Sequence, residues 1–296
     1  MRIKGTPFTA IVLLLAAAGL AAIAGASFMA MWNDDLFVPA PGFEKKMLSD
    51  WFDGLSGSPA DTPVYIQDGE APGGTVLILG GTHPTEPASM VTATLFLERA
   101  RVDRGRLIVI PQANLLGFTH NSPQEAHPQS ISFATEDGGR RVFRYGSRLT
   151  NPFYEWPAPD IYIHPASGQQ LPGKERGNIN RCYPGIPDGS VTEQAAYAIT
   201  ELIKRERVDL SIDLHEASPE YPVVNAIVAH ERSMELAAMT TMDLEMAGIP
   251  MRLEPSPKNL RGLTHREWGD YTDTMPVLME AGNPVQGRLR GRTDER

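Results

Sequence analysis

The sequence predicts an α/β domain whose mixed, largely parallel sheet is flanked by helices. Three observations lead to this prediction: short apolar runs typical of strands, longer runs with helical periodicity, and the alternation of the two along the chain. The strand-like runs are almost continuously apolar, which is typical of a sheet that is covered on both faces. They are residues 75–81, 106–113, 208–215, 223–229 and 275–280.

Helices are predicted before and between these strands. Pro87 suits the first turn of a helix, because its missing N–H would have no partner there. Ser190 and Glu193 form the capping-box pattern, and Gly248 is a typical helix stop. The helical runs are residues 42–55, 87–102, 190–207 and 230–248.

One region interrupts the alternation of strands and helices. Residues 115–178 are rich in Pro, Gly, Asn and Gln, and a hairpin is predicted around residues 137–139. A long irregular insertion in a compact domain is more often a cover or a binding loop than a filler. We therefore expect this insertion to act as a lid over the functional site.

The N-terminus has the features of an export signal. Arg2 and Lys4 precede an apolar run over residues 8–26 that contains a single polar side chain. A run of this length is typical of a signal peptide or of an uncleaved membrane anchor. We expect residues 1–32 to serve as one or the other. Residues 33–296 would then form a periplasmic or membrane-anchored domain on the extracytoplasmic side.

The charge and the cysteine content exclude some classes of protein. The formal net charge is −9 and the body of the chain has no basic cluster, which argues against a nucleic-acid surface. The basic run at residues 287–296 is interspersed with acids and is expected to be a solvated tail. Cys182 is the only cysteine, so no intrachain disulfide can form and stability must come from packing.

A histidine and a glutamate follow the first predicted strand, in the sequence GGTHPTEP. His83 and Glu86 therefore lie at the carboxyl end of a strand, where open α/β sheets place their sites. Taken alone, Glu86 could instead cap the next helix, with His83 on the surface of the turn.

His215 ends another predicted strand, and Asp213 points to the same side of it. Two histidines and one carboxylate suit catalytic zinc, although this set accepts other divalent ions.

Two further polar groups have a possible role in substrate binding or catalysis. Asn180 and Arg181 lie in the Gly- and Pro-rich turn GNINRCYPG, where they could be exposed or could hold a carboxylate. Glu280 ends the apolar strand MPVLME, where a carboxylate needs a partner or a function. It could be ion-paired, or it could face a metal site as a general base.

The order of these groups is more specific than any one of them. HPTE after a strand, then NR, then DLH, then a strand-ending glutamate resemble the zinc carboxypeptidase superfamily, and more closely its succinylglutamate desuccinylase/aspartoacylase branch. The resemblance spans about residues 75–285 and implies a zinc-carboxypeptidase-like fold. The positions that match are His83, Glu86 and His215 for the zinc ligands, Asn180 and Arg181 for the substrate carboxylate, and Glu280 for the catalytic glutamate.

The chain departs from the family pattern in three places. Pro84 stands where the family commonly has a small residue after the first histidine. The family also has an arginine shortly before the NR pair that polarises the scissile carbonyl. Here Arg176 is taken as the substrate-binding candidate for that role, with Arg148 in the insertion as its rival. The family's β-rich segment after the catalytic glutamate has no counterpart, so either the chain is truncated or the insertion takes over its covering role.

The resemblance implies a zinc-dependent hydrolase that cleaves an amide bond near a substrate carboxylate. The closer branch implies an N-acyl amino acid deacylase, and the wider superfamily implies an extracytoplasmic carboxypeptidase that acts on peptides. A non-catalytic zinc-binding module is a third hypothesis, but such a module is expected to lack Glu280 or a ligand, and all are present. The expected partners are a substrate with a carboxylate and, through the N-terminal segment, a membrane; no nucleic acid is expected.

Overall fold

The described residues fold into strands and helices that alternate along most of the chain. The computed structural model describes residues 7–125, 127–283 and 286, so the predicted tail at 287–296 lies outside it. The strands are β1 (Glu44–Met47), β2 (Pro63–Asp68), β3 (Ala71–Leu79), β4 (Arg104–Ile110), β5 (Ser130–Ala134), β6 (Arg140–Arg144), β7 (Ile161–Ile163), β8 (Gln170–Pro172), β9 (Leu210–Ala217), β10 (Ala226–Ala229), β11 (Arg252–Pro255) and β12 (Met275–Gly282). The α-helices are α1 (Pro7–Ala30), α2 (Pro87–Arg99), α3 (Pro152–Glu155), α4 (Val191–Arg205), α5 (Met234–Met246) and α6 (Thr264–Tyr271).

One mixed sheet of eight strands forms the centre of the fold. The strands lie in the order β1-β2-β4-β3-β9-β12-β10-β11. β3 is parallel to β4 and to β9, and β9 is parallel to β12. The pairs β1–β2, β2–β4 and β10–β12 are antiparallel. The predicted mixed, largely parallel sheet is therefore confirmed. β5–β6 and β7–β8 form two separate hairpins in the insertion.

Side chains of the central strands alternate between two apolar cores. Leu77 and Leu79 of β3 belong to a core that includes Ile199 of α4. Ile78, which points to the opposite face, belongs to a core that includes Leu97 of α2. The near-continuous apolar runs in the sequence therefore reflect burial on both faces of the sheet.

The helix predicted over residues 42–55 is wrong. Residues Glu44–Met47 form β1, which pairs antiparallel with β2, and short 3-10 turns follow. Leu48, Trp51 and Leu55 are buried in the core, and their spacing alone would also fit one face of a helix. The free edge of β2 binds the first part of this segment as a strand, so sheet pairing decides the local structure.

The apolar N-terminal run forms α1, which has no buried residue. It has 24 residues and a mean hydropathy of 2.3 over its most apolar window, which is enough to cross a bilayer. A signal sequence has the same length and composition. The helix itself is therefore compatible with either form of the predicted export signal.

The chain leaves α1 through a segment that is hydrogen-bonded to the rest of the fold. The side chain of Asp35 is 4 % exposed, and its carboxylate accepts bonds from the Arg144 backbone N–H and Nε, each at 2.9 Å. It also accepts a bond from Gln112 Nε2 at 2.6 Å. Arg144 Nη1 donates to the carbonyl of Met31 at 3.2 Å. We call Met31, Asp35, Gln112 and Arg144 the exit clamp. It ties the end of α1 to the loop that follows β4.

Candidate active site

Three neighbouring strands bring polar side chains to the carboxyl edge of the sheet. β3 leads into the turn that carries His83, and β9 and β12 carry His215 and Glu280 near their ends. Glu280 is the register partner of His215 in the parallel pairing of β12 with β9. Groups that are distant in the sequence therefore meet, because adjacent parallel strands end at the same edge.

The turn after β3 needs its two glycines. Gly81 has a φ of +64°, in the left-handed region that favours glycine. A Cβ on Gly80 would lie 2.7 Å from the carbonyl oxygen of Ser89, and one on Gly81 would lie 2.7 Å from that of Pro111. The backbone thus passes too close to its neighbours for any side chain. Its bend directs the chain from the buried strand to His83.

Pro84, which departs from the family pattern, is accommodated by two glycines of the insertion. A Cβ on Gly117 would lie 2.8 Å from Cγ of Pro84, and one on Gly146 would lie 2.7 Å from its Cβ. The proline ring therefore occupies space that these glycines leave open. The insertion has the small residues that this site's proline requires.

His83, Glu86 and His215 converge on one point. Nδ1 of His83 lies 2.8 Å from Oε1 of Glu86, and Nδ1 of His215 lies 2.9 Å from Oε2 of Glu86. One possible ligand atom from each residue lies within 4.8 Å of the others, and all three residues are buried. Two imidazole nitrogens and a carboxylate oxygen at this spacing are a donor set that fits zinc.

Each histidine is oriented through its second ring nitrogen. Nε2 of His215 lies 2.8 Å from Oδ2 of Asp213, and Nε2 of His83 lies 3.0 Å from Oδ1 of Asn178. Both partners are oxygen acceptors, so a neutral imidazole carries its proton on Nε2 and leaves Nδ1 for a metal. Asp213 is itself held by two threonine hydroxyls, at 2.8 Å and 2.7 Å. Asp213 thus lies on the same side of β9 as His215, as the alternation of strand residues predicts.

The cluster favours a positive charge on His215. Burial opposes this charge, but Asp213 and Glu86 together raise the pKa of His215 well above its usual value. Burial and the Arg148 guanidinium lower the pKa of His83 to about 4. Although burial opposes the shift, the two imidazoles hold the pKa of Glu86 well below its usual range. A bound divalent cation would replace the proton on His215, so its binding is expected to release a proton.

A pocket of about 400 Å³ includes the cluster in its wall. Its size is within the range typical of small-molecule sites. Part of the wall is apolar, and another part carries charges of both signs. The apolar part includes Val228, Leu260, Leu263 and Leu278, and the charged part includes Arg148, Arg181, Glu216 and Glu280.

Glu280 contributes a carboxylate oxygen that has no hydrogen-bond partner. Its Oε2 is buried and makes no hydrogen bond within the part of the chain that the structure describes. Burial, reinforced by the charge of Glu86, raises the pKa of Glu280 to about 7. Burying a lone carboxylate is costly, and a pKa near neutrality suits a group that takes up and returns a proton. The geometry therefore favours the general-base interpretation over the ion pair.

The two candidate arginines lie in different places. Arg148 lines the pocket, and its Nη1 lies 3.3 Å from Oε1 of Glu86. Arg176 does not line the pocket: its Nε donates to Glu155 Oε2 at 3.0 Å, and its Nη2 donates to the carbonyls of Glu155 and Pro157. The structure therefore does not support Arg176 as a substrate-binding residue. It is held by α3, and Arg148 is the arginine beside the cluster.

Asn180 and Arg181 both line the pocket. Oδ1 of Asn180 accepts the backbone N–H of Thr264 at 2.9 Å, which fixes the side chain at the start of α6. The Arg181 guanidinium donates to the Asn180 carbonyl at 2.6 Å and lies 3.9 Å from the carboxylate of Glu175. Burial lowers the pKa of Arg181 from its usual value. A partly desolvated guanidinium with a distant counter-ion can bind a carboxylate strongly.

Glu216 is a pocket residue that sequence reasoning missed. Strand alternation predicts that it faces away from His215, but it lines the pocket and its Oε2 accepts the Ala88 N–H at 2.7 Å. It thus binds the first turn of α2, where Glu86 occupies the N-cap position without capping through its side chain. Periodicity could not find Glu216, because alternation assigns neighbouring residues to opposite faces. Asn178, which orients His83, was also missed.

The chain resembles one curated enzyme in sequence, and no family model matches it. It is 25 % identical over 167 residues to the N-alpha-acetyl-L-2,4-diaminobutyric acid deacetylase of Halomonas elongata. The alignment covers 56 % of this chain and 34 % of that enzyme. The chain thus spans about a third of the length of this relative.

Solved structures show what the fold is similar to. A metallo-carboxypeptidase from Burkholderia cenocepacia has a TM-score of 0.50 at 14 % identity, covering 87 % of this chain and 59 % of its own. The ectoine utilization protein EutE (DoeB) of Ruegeria pomeroyi has a TM-score of 0.49 at 21 % identity, covering 77 % and 55 %. The carboxypeptidase and the deacetylase together confirm the resemblance that the motifs predict: the chain has a metallocarboxypeptidase-like fold and resembles the succinylglutamate desuccinylase/aspartoacylase family.

Proposed function

We propose that the chain is a zinc-dependent hydrolase that cleaves the amide bond of an N-acyl amino acid. The observation that carries this proposal is the convergence of His83, Glu86 and His215 in one pocket with the partnerless carboxylate oxygen of Glu280. The sequence relative is, by its name, a deacetylase of an N-acetylated amino acid, which supports the same bond type. The size of the pocket supports a small substrate.

The pocket residues divide the chemistry among them. His83, Glu86 and His215 would hold zinc, which would supply an activated water and Lewis-acid polarisation of the substrate carbonyl. Glu280 takes a proton at Oε2 from the water as its oxygen bonds to the carbonyl carbon. It returns this proton to the nitrogen as the C–N bond breaks, which releases a carboxylate and an amine. Arg148 donates to the carbonyl oxygen as negative charge develops there. Arg181, with Asn180, holds the substrate carboxylate, so that the amide is positioned over the cluster.

Replacing Arg148 with Ala is expected to lower kcat/KM by about a hundredfold, because a donor to the developing charge is lost. Arg148→Lys keeps the positive charge but lacks the planar guanidinium, so its kcat/KM is expected to lie between those of the alanine variant and the unmodified protein. Steady-state kinetics with metal analysis measure both effects. Arg176→Ala is the matched control, since its guanidinium binds α3 instead of the pocket. Equal losses in the two alanine variants would contradict the assignment of Arg148.

Replacing Arg181 with Ala is expected to raise KM for an N-acetyl amino acid by roughly ten- to a hundredfold, the usual loss for a charged hydrogen bond. Zinc content is expected to stay unchanged, because Arg181 is not a ligand. The control is a substrate pair: the N-acetyl amino acid and the same compound with its carboxylate converted to a carboxamide. KM for the carboxamide is expected to change little. An equal rise for both compounds would show that Arg181 does not bind the carboxylate.

A substrate screen separates the rival functions. The zinc-loaded protein and its Glu280→Gln variant are assayed on N-acyl amino acids and on di- and tripeptides with free carboxyl termini. Turnover of N-acyl amino acids by the unmodified protein alone supports the proposal. Cleavage of peptides alone would assign the chain to the extracytoplasmic carboxypeptidases. Tight zinc binding with no turnover of either class would support the non-catalytic zinc-binding module.

We propose in addition that the N-terminal segment directs the domain to the extracytoplasmic side. The support is the length and hydropathy of α1, together with Arg2 and Lys4 before it. Positive charges that flank an apolar helix favour the cytoplasmic side, so the residues after α1 would lie across the membrane. The same segment serves as a signal peptide if it is cleaved and as an anchor if it is retained.

A further inference from the structure

Large aromatic side chains stand exposed close to the end of α1. Phe153 is 79 % exposed, Trp156 is 81 % exposed and Trp32 is 46 % exposed. Trp32 and Phe153 are linked through Tyr154: the ring centroid of Trp32 lies 6.5 Å from that of Tyr154, which lies 5.1 Å from that of Phe153. Trp156 directly follows the last residue of α3. We call Trp32, Phe153 and Trp156 the aromatic patch. It joins the end of α1 to α3 in the insertion.

The exposure of the patch is fixed by hydrogen bonds beneath it. Oδ1 of Asn151 accepts the backbone N–H of Phe153 at 3.1 Å, at the start of α3. Arg176 binds the other end of α3, through the carboxylate and the carbonyl of Glu155. Both ends of α3 are therefore held by hydrogen bonds, which fixes the position of the aromatic side chains on it. This gives Arg176 a positioning role at the surface in place of the substrate-binding role for which it was a candidate.

The patch also has a fixed position relative to α1. Trp32 lies two residues after the end of the helix, and the exit clamp holds the following segment through Asp35 and Arg144. A domain that is clamped in this way cannot swing freely on its helix. Any bilayer that contains α1 would therefore lie next to the patch. Indole and phenyl rings favour the headgroup level, where one side of the ring is apolar and the other is wet.

We propose that the aromatic patch lies in the headgroup region of the bilayer that α1 spans, and that the domain rests on the membrane through this second contact. The occupant of the patch is a phospholipid surface, because the patch is continuous with the segment that leaves the apolar helix. The inference rests on the proposal that α1 is retained as an anchor.

Quenching of tryptophan fluorescence by brominated lipid tests this inference. The full chain is reconstituted in phosphatidylcholine–phosphatidylglycerol vesicles, with lipid that is either ordinary or brominated near the headgroup end of its acyl chains. The Trp32→Phe variant leaves Trp156 as the exposed indole, since Trp51 and Trp268 are 3 % and 0 % exposed. The matched control carries Trp32→Phe and Trp156→Phe. We expect brominated lipid to remove most of the Trp156 emission and to leave the control unchanged.

The outcomes separate the patch from the anchor. Protein that washes off the vesicles at alkaline pH would show that α1 is not a retained anchor, and the inference falls with it. Protein that stays on the vesicles but emits equally in both lipids would overturn the patch while leaving the anchor intact. Cross-linking between copies through the patch, with no quenching, would also overturn it, because a second protein would then cover the aromatic side chains.

Discussion

Replacing Glu280 with Gln is expected to lower kcat by about a thousandfold while the protein keeps its zinc. Glutamine preserves the size and polarity of the side chain at the end of β12, but it cannot take up a proton. The lost contribution is that of a general base that is also the general acid, for which losses of roughly 10²- to 10⁴-fold are typical. Single-turnover kinetics with metal analysis measure both quantities. Unchanged turnover in this variant would remove Glu280 from the mechanism.

The same residue is expected to set the acid limb of the pH profile. Burial, reinforced by the charge of Glu86, raises the pKa of Glu280 from 4.5 to about 7 in the metal-free protein. The carboxylate is the active form, so activity is lost as the pH falls through this pKa. A nearby divalent cation stabilises the carboxylate and lowers the pKa of Glu280. The midpoint of the acid limb is therefore expected between pH 4.5 and about pH 7. Glu216→Gln is the matched control and is expected to keep the limb, whereas the residual activity of Glu280→Gln is expected to lack it.

Replacing His215 with Ala is expected to reduce zinc from about one ion per chain to nearly none and to abolish hydrolysis, because a three-ligand site loses one ligand. Elemental analysis of the purified protein measures the loss. In the unmodified protein, zinc affinity is expected to fall as the pH falls, since the raised pKa of His215 means that a proton competes for its Nδ1. Zinc titrations at several pH values check this dependence.

Two controls separate metal loss from unfolding. His215→Asn removes the imidazole ligand but keeps a polar side chain close to Asp213, which the alanine variant leaves buried without its imidazole partner. His230→Ala removes a histidine that binds Asp270 and does not line the pocket, so its zinc content is expected to stay the same. If the unmodified protein takes up no zinc, the hydrolase proposal is lost whatever the variants show.

The parts of the site that lie on strand ends were predictable from the sequence. His215 and Glu280 end apolar runs, and His83 follows one, so each could be placed at the carboxyl edge before the order of the strands was known. The sheet then needs only to bring β3, β9 and β12 together, as it does. For these residues, local pattern and overall fold agree.

The parts of the site that come from irregular structure were not predictable in the same way. Arg148 belongs to an insertion without periodicity, and its approach to Glu86 depends on how that insertion folds back over the sheet. No arginine stands at the family's spacing before the NR pair, and Arg176, the candidate nearest to that pair, binds α3 instead. Glu216 enters the pocket by capping α2, a contact between elements that are distant in the sequence. Such contacts are decided by tertiary packing and leave no local signature.

A short stretch of chain connects the foot of α1 to the centre of the pocket. Arg144 is bonded to Asp35 below the helix, and Arg148, four positions later, lies against Glu86. Between them the hydroxyl of Tyr145 donates to the carbonyl of Thr85 at 3.1 Å, and this bond restrains the segment from Arg144 to Arg148. If α1 is retained in a membrane, as proposed, a detergent or lipid that shifts the helix would act on the segment that carries Arg148. Turnover numbers measured in different detergents or lipids would then differ because of the medium around α1 as well as because of the enzyme.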